Sequence, residues 1–172
     1  MKSDDSQSDT LALALGAILA RLWLAVRAIQ TGIEKYAGSA VSEKAVEIDG
    51  QPNSYGLTDA AATKGYSLDN YHGVPAALYE KFSGEPFMAG WALKVFDKVL
   101  GPALILLGIT ILLGVASRLS LFALGLLYIG LTWGLILIGE NSGIAWLAAH
   151  LILIIAALAL VRHDRVRILK SW

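Results

Sequence analysis

The residues of this chain whose types could do chemistry sit where charge is hardest to keep. Arg21, Arg27, Glu34 and Lys35 lie in, or just beyond, a long apolar run near the N-terminus, and His150 interrupts another near the C-terminus. A basic side chain near a bilayer centre costs roughly 2.5–3.5 kcal/mol even on a lenient insertion scale, so each cation must face protein, water or an anionic group. Successive helical residues advance by about 100°, which puts Ala25, Ala28, Gly32 and Lys35 on one stripe with Arg21, and Arg27 with Glu34 on another. Arg27 can be read as an ion-pair partner of Glu34, as a side chain snorkelling to a headgroup, or as a donor to a ligand such as a quinone carbonyl. His150, four residues after Trp146, is either bonded to a hydroxyl or carbonyl of a neighbouring helix or in contact with a ligand. Trp133 and Trp146 stand in the outer thirds of their runs, as packing residues or as walls for a flat ring.

Composition says what surrounds these residues. Of 172 residues, 56% are apolar and 16% charged, against 45–50% and about 25% in an average soluble domain. The missing charge points to a membrane. Lys+Arg and Asp+Glu balance at 14 each, which leaves no electrostatic footprint for nucleic acid. With no Cys, the chain offers no disulfide, thiolate nucleophile, Cys-ligated metal or c-type haem attachment. Its three histidines, His72, His150 and His163, are scattered, so no metal site is predicted. Any redox group is then a diffusible, non-covalent molecule or belongs to a partner.

The elements that must position the polar residues follow from hydropathy. A polar tail over 1–10 precedes a first span over 11–33, long enough at 1.5 Å per residue to cross a hydrocarbon core of about 30 Å. A cleaved signal peptide is the rival reading, opposed by the acids before the run and the two arginines within it. Residues 34–98 form a loop rich in turn formers, with a short helix expected over 75–82 and an amphipathic lead-in before the next span. Further spans are predicted over 99–116, 119–139 and 144–161, followed by a basic tail over 162–172. Ser117-Arg118 and residues 140–143 read as tight turns, with Glu140 as an interfacial or capping carboxylate. The predicted fold is all-α: four transmembrane helices in an antiparallel bundle, with one long loop between the first and second.

Orientation comes from Lys and Arg on short flanks. The side holding both termini carries Lys2, Arg118, Arg162, Arg165, Arg167 and Lys170 at high density. The other side has as many, but spread through a loop whose residues 37–90 hold three Lys against seven acids. Both termini are therefore expected in the cytoplasm and the acidic loop outside. Small residues let membrane helices approach closely, so Ala25, Ala28 and Gly32, the Gly130/Gly134 pair, and Ala145 with Ala149 are expected at helix contacts.

The spacing Arg21, Gly32, Lys35, in RLWLAVRAIQTGIEK, resembles the first helix of the DoxX/DoxD group of small four-helix membrane proteins. Ala25 stands where that group usually has Gly, Ala28 where it has an aromatic, and Arg27 is an added charge. Residues 101–127 and 141–165 resemble its Gly-rich second helix, turn arginine (here Arg118), third helix and final helix with tail. The resemblance covers 19–36 and 98–165. It implies a bacterial or archaeal cytoplasmic membrane and quinone-linked electron transfer, since DoxD-like members are small subunits of a thiosulfate:quinone oxidoreductase.

Three functions are therefore carried forward. The first is an accessory or quinone-interacting subunit of a redox system, with Arg21, Arg27, Glu34, Lys35, Trp133 and His150 as candidate contacts and a redox partner on the loop. The second is a non-enzymatic scaffold or assembly subunit. The third is a small-solute transporter or channel formed by a homo-oligomer.

Overall fold

A computed structural model describes residues 2–45, 47–48, 51–52, 58–164, 166 and 168. Among these residues, four helices are long and apolar enough to cross a membrane: α1 (Lys2–Glu34), α3 (Gly90–Leu113), α4 (Ser117–Leu137) and α5 (Asn141–Leu160), the last extended by a 3-10 turn over Val161–His163. The chain is a multi-pass membrane protein.

Several boundaries differ from the sequence expectation for physical reasons. The polar segment at the N-terminus is helical from Lys2 and continuous with the first span. The amphipathic lead-in and the second span are one helix from Gly90, which continues through Gly101-Pro102. Both connecting turns begin before the predicted residues, and the second keeps Glu140. Gly114 (φ 68°) ends α3 in the left-handed conformation; its N–H donates to Ile111 O, and that of Val115 to Thr110 O at 2.9 Å. Gly139 (φ 69°) does the same after α4, with Glu140 N–H donating to Leu135 O at 3.0 Å. Ser117, Arg118, Asn141 and Ser142 therefore open the following helices instead of forming the turns. Glu140 is the N-cap residue of α5, and Ser142 Oγ donates to its carboxylate.

In the bundle α1 packs on α3 and α5, and α4 on the same two. Helices α1 and α3 run antiparallel: Gly108 of α3 stands against Ala25 and Ile29, whereas Gly101 and Ile105 stand against Gly32. A Cβ on Gly32 would meet Ile105 Cγ1 at 2.6 Å, and one on Gly108 would meet Ile29 Cγ1 at 2.6 Å, so the seam depends on both glycines. Ala25 and Ala28 are fully buried beside Leu24, Leu100, Leu104 and Leu124. The outward face is equally apolar, with Leu19, Leu119 and Ile152 each about two-thirds exposed, as a bilayer solvent allows.

The long loop corrects the all-α expectation. Strands β1 (Ala37–Ala45) and β4 (Thr58–Tyr66) pair antiparallel from Ala37↔Tyr66 to Ala45↔Thr58, with β2 (Glu47–Ile48) and β3 (Gln51–Pro52) paired between them. The paired segments AGSAVSEKA and TDAAATKGY are poor in β-branched and aromatic residues and lack apolar alternation, so local pattern gives no strand signal. Parts of the turn-rich stretch, 49–50 and 53–57, lie outside the described residues. The hairpin base is tied to α1: Lys64 Nζ donates to Glu34 at 2.8 Å, Tyr66 Oη at 3.3 Å, and Ser67 N–H to Tyr36 O at 3.1 Å. The short loop helix is α2 (Ala76–Ser83), with Pro75 at its N-cap.

Candidate functional site

The site begins with a proline. Pro102, inside α3, has no N–H to give the carbonyl of Lys98, which is left without its helical donor. The hydroxyl of Tyr71 inserts here, its one proton shared between Asp97 O at 2.6 Å and Lys98 O at 3.0 Å while its oxygen accepts the Gly101 N–H at 3.2 Å. Next to it, His72 N–H donates to Lys35 O at 2.8 Å and Val74 N–H to the Asp97 carboxylate at 2.7 Å. These bonds fasten residues 71–74 to the ends of α1 and α3. The chain then turns into α2, which lays Phe82 in a buried cluster with Val74 and Leu93.

Beneath this roof lies an apolar cavity of about 510 Å³. Its walls are Phe96 and Leu100 of α3, Gly130 and Leu131 of α4 and Leu147 of α5, and Leu78 and Phe82 close it from the loop side. Two hydrogen-bonding side chains of α1, Thr31 and Lys35, reach it. Trp133 and Trp146, 55% and 65% exposed, stand at its lipid-facing edge. Burial pushes the Lys35 amine below the usual lysine range, with Asp97 acting in the opposite direction. Burial likewise pushes the Tyr71 phenol up, offset by the N–H of Gly101.

Of the predicted contacts, Lys35 and Trp133 come together here, and the others go elsewhere. Arg21 is taken by the C-terminal tail: its Nη1 donates to Asp164 at 2.7 Å and to the carbonyl of Val166, with both charged side chains nearly buried. Ile168 N–H donates to Leu113 O, so the tail crosses the end of α3. Arg165, Arg167 and Lys170 of the predicted basic tail lie outside the described residues. Arg27 does not pair with Glu34, which is held by Lys64 and Tyr66; it donates to Gln30 Oε1 at 2.7 Å. His150 is buried and bonds within its own helix, Nδ1 donating to Trp146 O at 2.8 Å, while its ring meets Tyr128 edge-on at 5.9 Å. Arg27, Tyr128 and His150 each lie one helical turn farther from the roof than a cavity residue, namely Thr31, Leu131 and Leu147. Tyr128 and His150, whose rings meet, thus place polar groups beneath the cavity floor, and Arg27 stands half-buried on the neighbouring face of α1.

The predicted packing residues divide in the same way. Ala25, Ala28 and Gly32 form the α1–α3 seam. Gly134 is packed under Phe82 and Gly130 opens the cavity wall beside Phe96, so this pair makes room for the roof and the cavity. Ala145 and Ala149 are on the exposed face of α5. Sequence reading missed Thr31, Tyr71, Asp97, Tyr128 and Asp164. Pro102 inside an apolar run was the one available signal, since it announces an orphaned carbonyl four residues earlier; the others are joined only by tertiary contact.

Fold and site together define a multi-pass helical membrane protein with a lipid-facing apolar cavity roofed by its long loop. No protein-family profile, curated protein or solved structure matches the chain.

Proposed function

We propose that this protein is a quinone-interacting accessory subunit of a membrane redox system. The observation that carries the reading is the cavity: at about 510 Å³ it falls within the roughly 300–1,000 Å³ of small-molecule sites, with apolar walls and few polar groups. A quinone is a flat ring with acceptor oxygens on an apolar tail. Lys35 and Thr31 supply donors for an oxygen, Trp133 and Trp146 supply faces for the ring, and the leucine walls suit the tail. The quinone would bring the two-electron chemistry; the chain binds it, orients it and shields it from water. The DoxX/DoxD resemblance leads to the same reading. The density of Lys and Arg favours a bacterial cytoplasmic membrane with both termini inside, so that the acidic loop faces a redox partner outside. Purification in mild detergent, followed by mass spectrometry of bound lipids and proteins, is predicted to recover a quinone and a redox subunit. Recovery of neither, with quinol turnover unchanged in membranes lacking the protein, contradicts the proposal.

One observation favours the scaffold reading as a second. Among the described residues β1 and β4 form a two-stranded ribbon, a shape to which a partner's strand can be added. Loss of a partner on deleting residues 37–66, with quinone still bound, would assign the loop to docking alone.

A further inference from the structure

We propose that Arg27 is a binding site for the phosphate of an anionic phospholipid in the leaflet on the loop side. Arg27 lies seven residues before the end of α1 at Glu34, about 10 Å down the helix axis, within a stretch long and apolar enough to span. Its side chain turns back toward the loop end, donating to Gln30 one turn nearer that surface. This uses one of its five donors. Among the described residues the nearby carboxylate on its own face, Glu34, is held by Lys64 and Tyr66, and Asp164 is held by Arg21. Tyr128, which also lies close enough to feel this charge, is a neutral phenol, so among the described residues no carboxylate neutralises the guanidinium and its counter-ion comes from outside the chain.

Charge and geometry identify that anion. A guanidinium presents a planar fork that matches two oxygens of a phosphate. Snorkelling toward Gln30 carries the fork to the depth at which a bilayer supplies phosphates. Trp23, Arg27 and Gln30 share one helical stripe, and Trp23 and Gln30 are exposed, so an acyl chain can run down along the indole while its headgroup meets the guanidinium. A zwitterionic lipid carries its own cation and leaves the charge of Arg27 less well neutralised, so an anionic headgroup is preferred.

The test uses the full chain exchanged into mixed micelles of phosphatidylcholine and phosphatidylglycerol, then examined by native mass spectrometry. The wild type is expected to retain phosphatidylglycerol over phosphatidylcholine, and Arg27→Gln to retain one fewer phosphatidylglycerol per chain. Arg27→Lys, which keeps the charge but loses the fork, is expected to fall between them. Arg162→Gln, at the opposite end of the bundle, controls for lipid held by the tail and should leave the Arg27-dependent molecule in place. Equal retention of the two lipids by the wild type overturns the proposal, and so does an unchanged count in Arg27→Gln. If Arg27→Gln fails to fold, the preference of the wild type and its reduction in Arg27→Lys decide the matter in the same way.

Discussion

The hydroxyl of Tyr71 stands 3.0 Å from the backbone carbonyl of Lys98, the carbonyl that Pro102 cannot serve. A loop residue thereby shares its hydroxyl proton between that carbonyl and Asp97 O, 2.6 Å away, and the roof of the cavity is anchored at the same point. Tyr71→Phe removes that donor and is expected to cost about 1–2 kcal/mol, lowering Tm in detergent by several degrees. In a Pro102→Ala background the helix regains its own donor, so the same substitution should cost less. Equal losses in both backgrounds would show that the hydroxyl does not serve the proline gap.

Arg21 and Asp164, 2.7 Å apart and with side chains only 7% and 3% exposed, fix the C-terminal tail to α1. Removing one partner leaves a buried charge, at a cost of about 3–5 kcal/mol, whereas replacing both by apolar residues costs much less. Arg21→Met and Asp164→Leu should each expose the tail to limited proteolysis near residue 164, and the double variant should recover most of the protection.

The seam between α1 and α3 has no room for a side chain at Gly108. Gly108→Val would push Cβ toward Ile29 Cγ1 at 2.6 Å and Ala25 O at 3.0 Å. Forcing the helices apart is expected to cost about 1–3 kcal/mol, read as a lower yield of monodisperse protein and a lower Tm. Gly130→Ala, where the nearest atom lies 3.6 Å from the added Cβ, should leave both unchanged.

Lys35 gives the cavity a pH dependence of predictable sign. Burial favours its neutral amine, while a bound acceptor oxygen favours the ammonium, so a ligand raises its pKa. Affinity from the charged donor is complete below the lowered pKa of the empty site and falls as pH rises through it. Binding of a quinone analogue should weaken between neutral and alkaline pH in the wild type, and be weaker but flat in Lys35→Met.

How much of this was legible in the sequence depended on the range of the interaction. Four apolar runs and the stripe of Ala25, Ala28 and Gly32 were readable because helix period and membrane length act within one segment. The roof was not: Tyr71 meets Lys98 only because the loop folds back over α3, and β1 pairs with β4 through residues of low strand preference. Arg21 and Arg27 are alike in the sequence as intramembrane cations, yet a carboxylate 143 residues away neutralises the first, while the second bonds to Gln30 of its own helix. The GxxxG spacing was visible, but whether it faced a helix or a cavity was decided by Phe82 and Phe96, which come from other segments.

The central claim, a lipophilic ligand in the roofed cavity, is tested most directly by titrating the purified protein with a short-tailed quinone and following tryptophan fluorescence. Trp133 and Trp146 border the cavity, so the wild type should show saturable quenching. Gly130→Leu, which fills the space beside Phe96, should abolish the saturable phase while keeping the wild-type Tm. Quenching that rises without saturation in the wild type, or that is identical in Gly130→Leu, would contradict the account.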